Sequence, residues 1–137
     1  MRKYTSYTEA RAHLKDVLDE AEEGRSALIQ RDAKTSTVVL DAARLRDYLA
    51  AVVPQRAVVL PEVGAWSVFI PGLPLAAEAG TFPEAITEMV DVLREYAEDW
   101  TSRLHGSTNH SKNWGLVQFI ALCDDAQLEA WLTGSSA

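Results

Sequence analysis

At 137 residues, 47% of them hydrophobic, the chain is long enough for one ordinary domain or two small ones with a buried core, and too apolar for wholesale disorder. Its single cysteine rules out an internal disulfide or a cysteine-rich zinc module, and no apolar run approaches the ~20 residues that cross a bilayer. A formal net charge of −7 argues against indiscriminate nucleic-acid binding, and a reducing cytoplasm is the expected location.

Arg2 to Thr5 is expected to form a short edge strand, and the charged sequence after it contains no secretory h-region. Ser6-Tyr7-Thr8-Glu9 has the form of a capping box, with Ser6 as N-cap and Glu9 three positions on. Ala10, Leu14, Val17, Leu18 and Ala21 then recur at helical spacing, which predicts one amphipathic helix ended by Gly24. Ala27 to Arg31 and Ser36 to Leu40 flank Asp32-Ala33-Lys34-Thr35 and read as a hairpin. Asp41 is placed to cap a second helix carrying Leu45, Tyr48, Leu49 and Val52, which Pro54 stops. Val53-Pro54-Gln55-Arg56 is the expected linker, dividing the chain into residues 1–52 and 57–137.

The second segment opens with three extended runs, Ala57 to Leu60, Trp66 to Ile70 and Leu75 to Glu78, punctuated by prolines and glycines as in a meander. Thr81-Phe82-Pro83-Glu84 starts a long helix with Ile86, Met89, Val90, Leu93, Ala97, Trp100 and Leu104 on one face. Its other face carries Glu88, Asp91, Glu95, Glu98 and Asp99. A polar loop, His105 to Asn113, leads to the apolar run Trp114 to Leu122, which is expected to be a central strand. Asp124 caps a final helix with Leu128, Trp131 and Leu132. The fold class is therefore α+β, a βαββα lobe followed by a βββαβα lobe.

Little in this pattern suggests catalysis. His105 and His110 lack a third ligand, Cys123 has no evident base, and Asp124-Asp125 reads as a helix cap. Phosphate loops, Ser/His/Asp sets and zinc-hydrolase motifs are absent from the sequence. No cofactor, catalytic residue or metal ligand is expected. The charge distribution is more telling. Residues 1–50 balance nine Lys/Arg against nine Asp/Glu, whereas residues 51–137 hold four against eleven. Arg11 and Lys15 sit one helical turn apart off the apolar stripe, Arg31 leaves a strand at the hairpin, and Arg2 and Lys3 open the chain.

Two stretches resemble known families. Tyr7-Thr8-Glu9-Ala10-Arg11-Ala12-His13-Leu14, Leu18 to Gly24, Leu28-Ile29-Gln30-Arg31 and Val38-Val39-Leu40, with a helix ending in Tyr48-Leu49, are similar to the amino-terminal domain of Phd/YefM-type antitoxins. The resemblance covers about residues 3–50. It implies a dimerisation lobe that binds operator DNA, with Arg11 and Arg31 at the DNA; Lys15, Arg2 and Lys3 are further DNA-binding candidates on their charge and placement alone. The usual hairpin-tip glycine is replaced here by Asp32-Ala33-Lys34-Thr35. Val68-Phe69-Ile70-Pro71-Gly72-Leu73-Pro74 and Ala79 to Ala85, with the long helix behind them, resemble a HicB-type antitoxin domain across about residues 57–122. That resemblance implies a partial RNase H-like fold, and the extended runs carry Glu78 but no aspartate, too few carboxylates for a two-metal nuclease.

Together these resemblances imply a cytoplasmic antitoxin of a type II toxin–antitoxin pair, a homodimer or higher oligomer. It would repress transcription at operator DNA and neutralise a small basic toxin by direct binding. Glu88, Asp91, Glu95 and Glu98 are the candidate toxin-binding face. The alternatives are a stand-alone transcriptional regulator whose second lobe senses or oligomerises, or an enzyme built on the RNase H-like lobe.

Overall fold

In a computed structural model, which describes residues 1–135, the chain divides into two compact units, Met1–Tyr48 and Leu49 onward. The last two positions of the second segment, 136 and 137, lie outside the described residues. The division falls inside the helix that the Val53–Arg56 stretch follows.

The first unit is built on a sheet in the order β1-β2-β3, from β1 (Arg2–Tyr4), β2 (Ala27–Gln30) and β3 (Ser36–Val39). β1 runs parallel to β2 at its edge, and β2 and β3 form the antiparallel hairpin with Ala27 opposite Val39 and Gln30 opposite Ser36. No glycine is needed at the hairpin tip, because the Asp32 carboxylate accepts from the backbone N–H of Lys34 and of Thr35, each at 2.8 Å. The Arg31 N–H closes the same turn onto the Thr35 carbonyl at 3.0 Å.

The predicted single helix is two: α1 (Tyr7–Ala12) and α2 (Leu14–Glu22). His13 (φ −121°, ψ 33°) is the C-cap of the first and the N-cap of the second, so the chain leaves helical geometry for one residue. The kink changes which residues face inward. Ala10, Val17 and Ala21 are buried, with Tyr4 and Ala27 beside them, while Leu14 and Leu18 are 56% and 47% exposed. Gly24 ends α2 as predicted. Its φ of +83° permits a Schellman closure, in which the Gly24 N–H bonds to the Ala21 carbonyl and the Arg25 N–H to the Glu20 carbonyl, both at 3.0 Å. Helix α3 (Ala42–Val52) follows, with the Asp41 carboxylate accepting from the Arg44 N–H at 3.1 Å.

The second unit is an antiparallel meander of β4 (Val58–Glu62), β5 (Ala65–Ile70) and β6 (Leu75–Ala79), covered on one face by α4 (Phe82–Asp99). Alternation along β5 turns Trp66, Val68 and Ile70 toward α4, and the Trp66 ring meets Phe82 edge-on at 5.4 Å. α4 starts as the sequence predicts, with Thr81 accepting from the Glu84 N–H at 3.3 Å and proline in the first turn.

The run Trp114 to Leu122 is not the expected strand but a helix, α5 (Trp114–Leu122), followed by α6 (Asp125–Thr133). The segment order after the meander is therefore helical throughout, with a π-turn at Trp100–Leu104 and a 3-10 turn at Ser111–Asn113, and the βββαβα order is corrected accordingly. The physical reason lies in the burial pattern. Leu116, Val117, Phe119 and Ile120 are buried while Trp114 is 51% exposed, a one-sided helical face packed on α4. A short apolar run carries no periodicity that separates this from a buried strand.

Candidate nucleic-acid and toxin interfaces

Arg31 stands at the end of β2, and its guanidinium carbon lies 5.9 Å from the centroid of the Tyr7 ring. Tyr7 is the first residue of α1, and Arg11 is one turn further along that helix, on the same face. The fold thus brings Arg31 to the exposed Tyr7 ring, and Arg11 shares the face of α1 on which that ring stands. Among the described residues neither arginine takes part in an ion pair.

The mounts on both sides are rigid. Glu9 accepts from the N–H and the hydroxyl of Thr5, each at 2.9 Å, and its own N–H donates to Ser6 Oγ at 3.1 Å. The Thr5 N–H bond, then its hydroxyl bond, holds the Glu9 carboxyl below its usual range. The capping box is displaced by one residue, since the carboxylate reaches Thr5 rather than Ser6. Across from it, the Asp32 carboxyl is held low by the Lys34 and Thr35 N–H groups.

The other three candidate DNA-binding cations of the first unit, Lys15, Arg2 and Lys3, are placed differently. Lys15 lies beyond the His13 break, so it does not continue the Arg11 face as a single helix would have it. Its ammonium pairs with Asp19 at 2.6 Å, and that hydrogen bond and charge raise its pKa. Arg2 lies over the Tyr4 ring at 5.0 Å, and Lys3, the next residue of the strand, points to the opposite side of the sheet. Tyr7 itself is the residue that the sequence reading did not assign. Its signal was an aromatic four positions before Arg11 on a capped helix.

In the second unit Glu88, Asp91, Glu95 and Glu98 are all exposed, on the face of α4 opposite the buried Ile86, Met89, Val90, Leu93 and Tyr96. Their 3-4-3 spacing spreads the charge over about 15 Å of helix. No ion pair among the described residues neutralises them, whereas Asp99 is paired with Arg103 at 3.5 Å.

The histidines serve structure. His110 Nδ1 lies 2.9 Å from the Tyr96 hydroxyl, which also accepts from Asn113 Nδ2 at 2.9 Å, and the His105 ring packs edge-on to Trp100 at 6.2 Å. Asn113, only 2% exposed, is the polar centre of this seam, and Trp100 Nε1 donates to the His110 carbonyl at 2.8 Å. Among the described residues no group of three or more His, Cys, Asp or Glu could hold a metal ion. No helix among them is long and apolar enough to cross a membrane.

Over residues 1–128 the sequence matches the PHD-like family, described as antitoxins of RelE/RelB toxin–antitoxin systems. In three dimensions the chain is similar to a 1.80 Å crystal structure of the antitoxin part of a proposed toxin/antitoxin system from Syntrophomonas wolfei subsp. wolfei, with a TM-score of 0.79 over 96% of each chain. Sequence identity is 17%, so this likeness speaks for the fold alone. No curated protein matches the sequence. The family match crosses both units, and a family of antitoxins is non-enzymatic and has toxins as its partners. The chain belongs to the PHD-like antitoxins of toxin–antitoxin systems.

Proposed function

We propose that this antitoxin acts in the cytoplasm as a dimer, or a higher oligomer, that represses its own operon and binds its toxin directly. Residues 1–52 form the dimerisation and DNA-binding domain, and residues 57–137 the domain that engages the toxin. Arg11 and Arg31 read or clamp the operator, with Arg2, Lys3 and Lys15 adding positive charge nearby. The observation that carries the DNA half is Arg31 set over the Tyr7 ring on the helix face that also bears Arg11, neither arginine in an ion pair among the described residues, in a chain of net charge −7. In such a chain, contact with phosphates must come from a few placed cations rather than from the overall field.

Dimerisation is supported by what the first unit leaves uncovered. Its buried cluster is small, Tyr4, Ala10, Val17 and Ala27 with Ile29 and Val39 packed against it, and Ala21 is buried as well. Leu14 and Leu18, one turn apart on α2, stay exposed together with Val38, Leu40 and Tyr48. A unit this small gains stability by burying such side chains against a second copy.

The acidic face of α4, Glu88 to Glu98, suits a basic toxin, and neutralisation there is by occlusion. The resemblance of the second unit to a HicB-type domain is supported by the βββα stretch, Val58–Asp99, alone. The deciding experiment is co-expression with the product of the adjacent reading frame, followed by co-purification and by gel shift on the DNA upstream of the pair. A stable complex that shifts this DNA is the expected result. A chain that shifts the DNA yet binds no neighbour-encoded protein is a stand-alone regulator, and the antitoxin mechanism is then wrong.

A further inference from the structure

We infer that Tyr7 is the positioning residue for Arg31: its ring holds the guanidinium over the start of α1, beside Arg11, before DNA arrives. This rests on the proposed operator binding of Arg31 and adds to it a residue and a mode of action. The ring is 58% exposed, so it is not retained there to fill the core, whose members lie elsewhere in the unit. A guanidinium 5.9 Å from the ring centroid is within the range of a cation–π contact. Both partners stand on backbone that is already fixed. The Thr5–Glu9 and Ser6–Glu9 bonds set the first turn on which Tyr7 sits, and the Arg31 N–H bond to Thr35 with the Asp32 turn sets the other. Among the described residues Arg31 forms no ion pair; the Asp32 carboxylate next to it feels its charge but is itself held by the Lys34 and Thr35 N–H groups, so the guanidinium stays on the ring. A flexible arginine loses rotamer freedom on meeting a phosphate; one already leaning on a ring loses less, and that difference appears as affinity.

The test is a double-mutant cycle in the full chain, read by binding to a duplex carrying the DNA immediately upstream of its own reading frame. Tyr7→Ala is expected to weaken binding about 5- to 30-fold in a dimer holding two copies, with the salt slope nearly unchanged because the arginine is still present. Tyr7→Phe, which keeps the ring, should stay within about twofold. In an Arg31→Ala background, Tyr7→Ala should cost nothing further. Tyr7→Leu serves as a second variant should alanine disturb the start of α1, with circular dichroism and sedimentation as controls for folding and mass. Equal losses in both backgrounds would make Tyr7 an independent contact, and a changed oligomeric mass would make it an interface residue; either overturns the inference. If Arg31→Ala weakens binding and Tyr7→Ala does not, the inference alone fails. If Arg31→Ala itself has no effect, the operator role of Arg31 fails and the positioning role falls with it.

Discussion

The guanidinium of Arg94, in the middle of α4, donates from Nη1 to the carbonyl oxygen of Ile120 at 2.7 Å, and from Nη2 to that of Cys123 at 2.9 Å. These are carbonyls at the C-terminal end of α5, where the helix has no partners of its own for them. The same Nη2 reaches Asp125 at 2.8 Å, in the first turn of α6. One side chain therefore ties three helices together. The Asp125 end is solvent-exposed and adds little. The half-buried carbonyl bonds carry the effect, so Arg94→Met is expected to destabilise the second unit by about 2–4 kcal/mol, and Asp125→Asn by about 1 kcal/mol or less. Urea unfolding followed by circular dichroism checks the pair. Equal costs would mean that the ion pair, not the helix-end cap, is what matters.

Tyr4 is the counter-case. It is fully buried in the small core of the first unit, and its hydroxyl has no hydrogen-bond partner among the described residues. A buried, unsatisfied hydroxyl is a debit, so Tyr4→Phe should leave stability unchanged or raise it by up to about 2 kcal/mol. A loss of stability in that variant, at unchanged oligomeric mass, would show that the hydroxyl does find a partner in the folded protein.

Most elements were legible because their ends are chemically marked. Ser6, Gly24, Asp41, Thr81 and Asp124 each end or begin a helix where their side chain, or a glycine's freedom at positive φ, demands it. Two features were not legible, for different reasons. The His13 break leaves the residue pattern of a single helix intact, since Ala10, Val17 and Ala21 still face the core; it shows only in Leu14 and Leu18, which turn outward. Helix α5 was hidden because its identity is set by tertiary partners, above all the α4 surface and Arg94, and not by its own alternation. At the candidate DNA site the arginines were legible from the chain, but their separation was not. Lys15 follows Arg11 by four residues, yet the break and Asp19 set it apart. Tyr7 needed the fold, because its partner lies 24 positions away across the hairpin.

Acid should loosen the first unit at two identified points. Glu9 and Asp32 have pKa values below their usual 4.5 and 3.8, because N–H donors hold their charged forms. A carboxyl whose pKa is lower folded than unfolded stabilises fully above its unfolded pKa and loses that contribution as pH falls through the folded value. The window therefore lies below about pH 4.5. Glu9→Gln should lower the melting temperature at neutral pH, and the gap between variant and wild type should close on acidification. A gap that is constant from neutral pH down to about pH 3 would show that charge plays no part in the cap.

The last expectation separates the cations by what surrounds them. Lys15 already faces Asp19, so DNA would have to replace an existing partner and would gain little. Arg11 and Arg31 have no ion pair to break among the described residues, although Asp32 stands beside Arg31, and a dimer would present each of them twice. Two half-sites about one helical turn apart suit such a pair of copies. If Arg11 reads a base edge, Arg11→Ala should cost about 1–3 kcal/mol per contact and relax preference at that base pair only. If Arg31 meets phosphate, Arg31→Ala should weaken all sequences alike and reduce the salt slope by about one unit per lost contact. Lys15→Ala should change affinity by less than either. All three side chains are exposed, so none of the variants should unfold the chain. Affinity for upstream and scrambled duplexes at two salt concentrations reads all of these at once. A ranking in which Lys15 matters most would mean that DNA approaches α2 rather than the Tyr7 end of α1, and the proposed interface would have to move there.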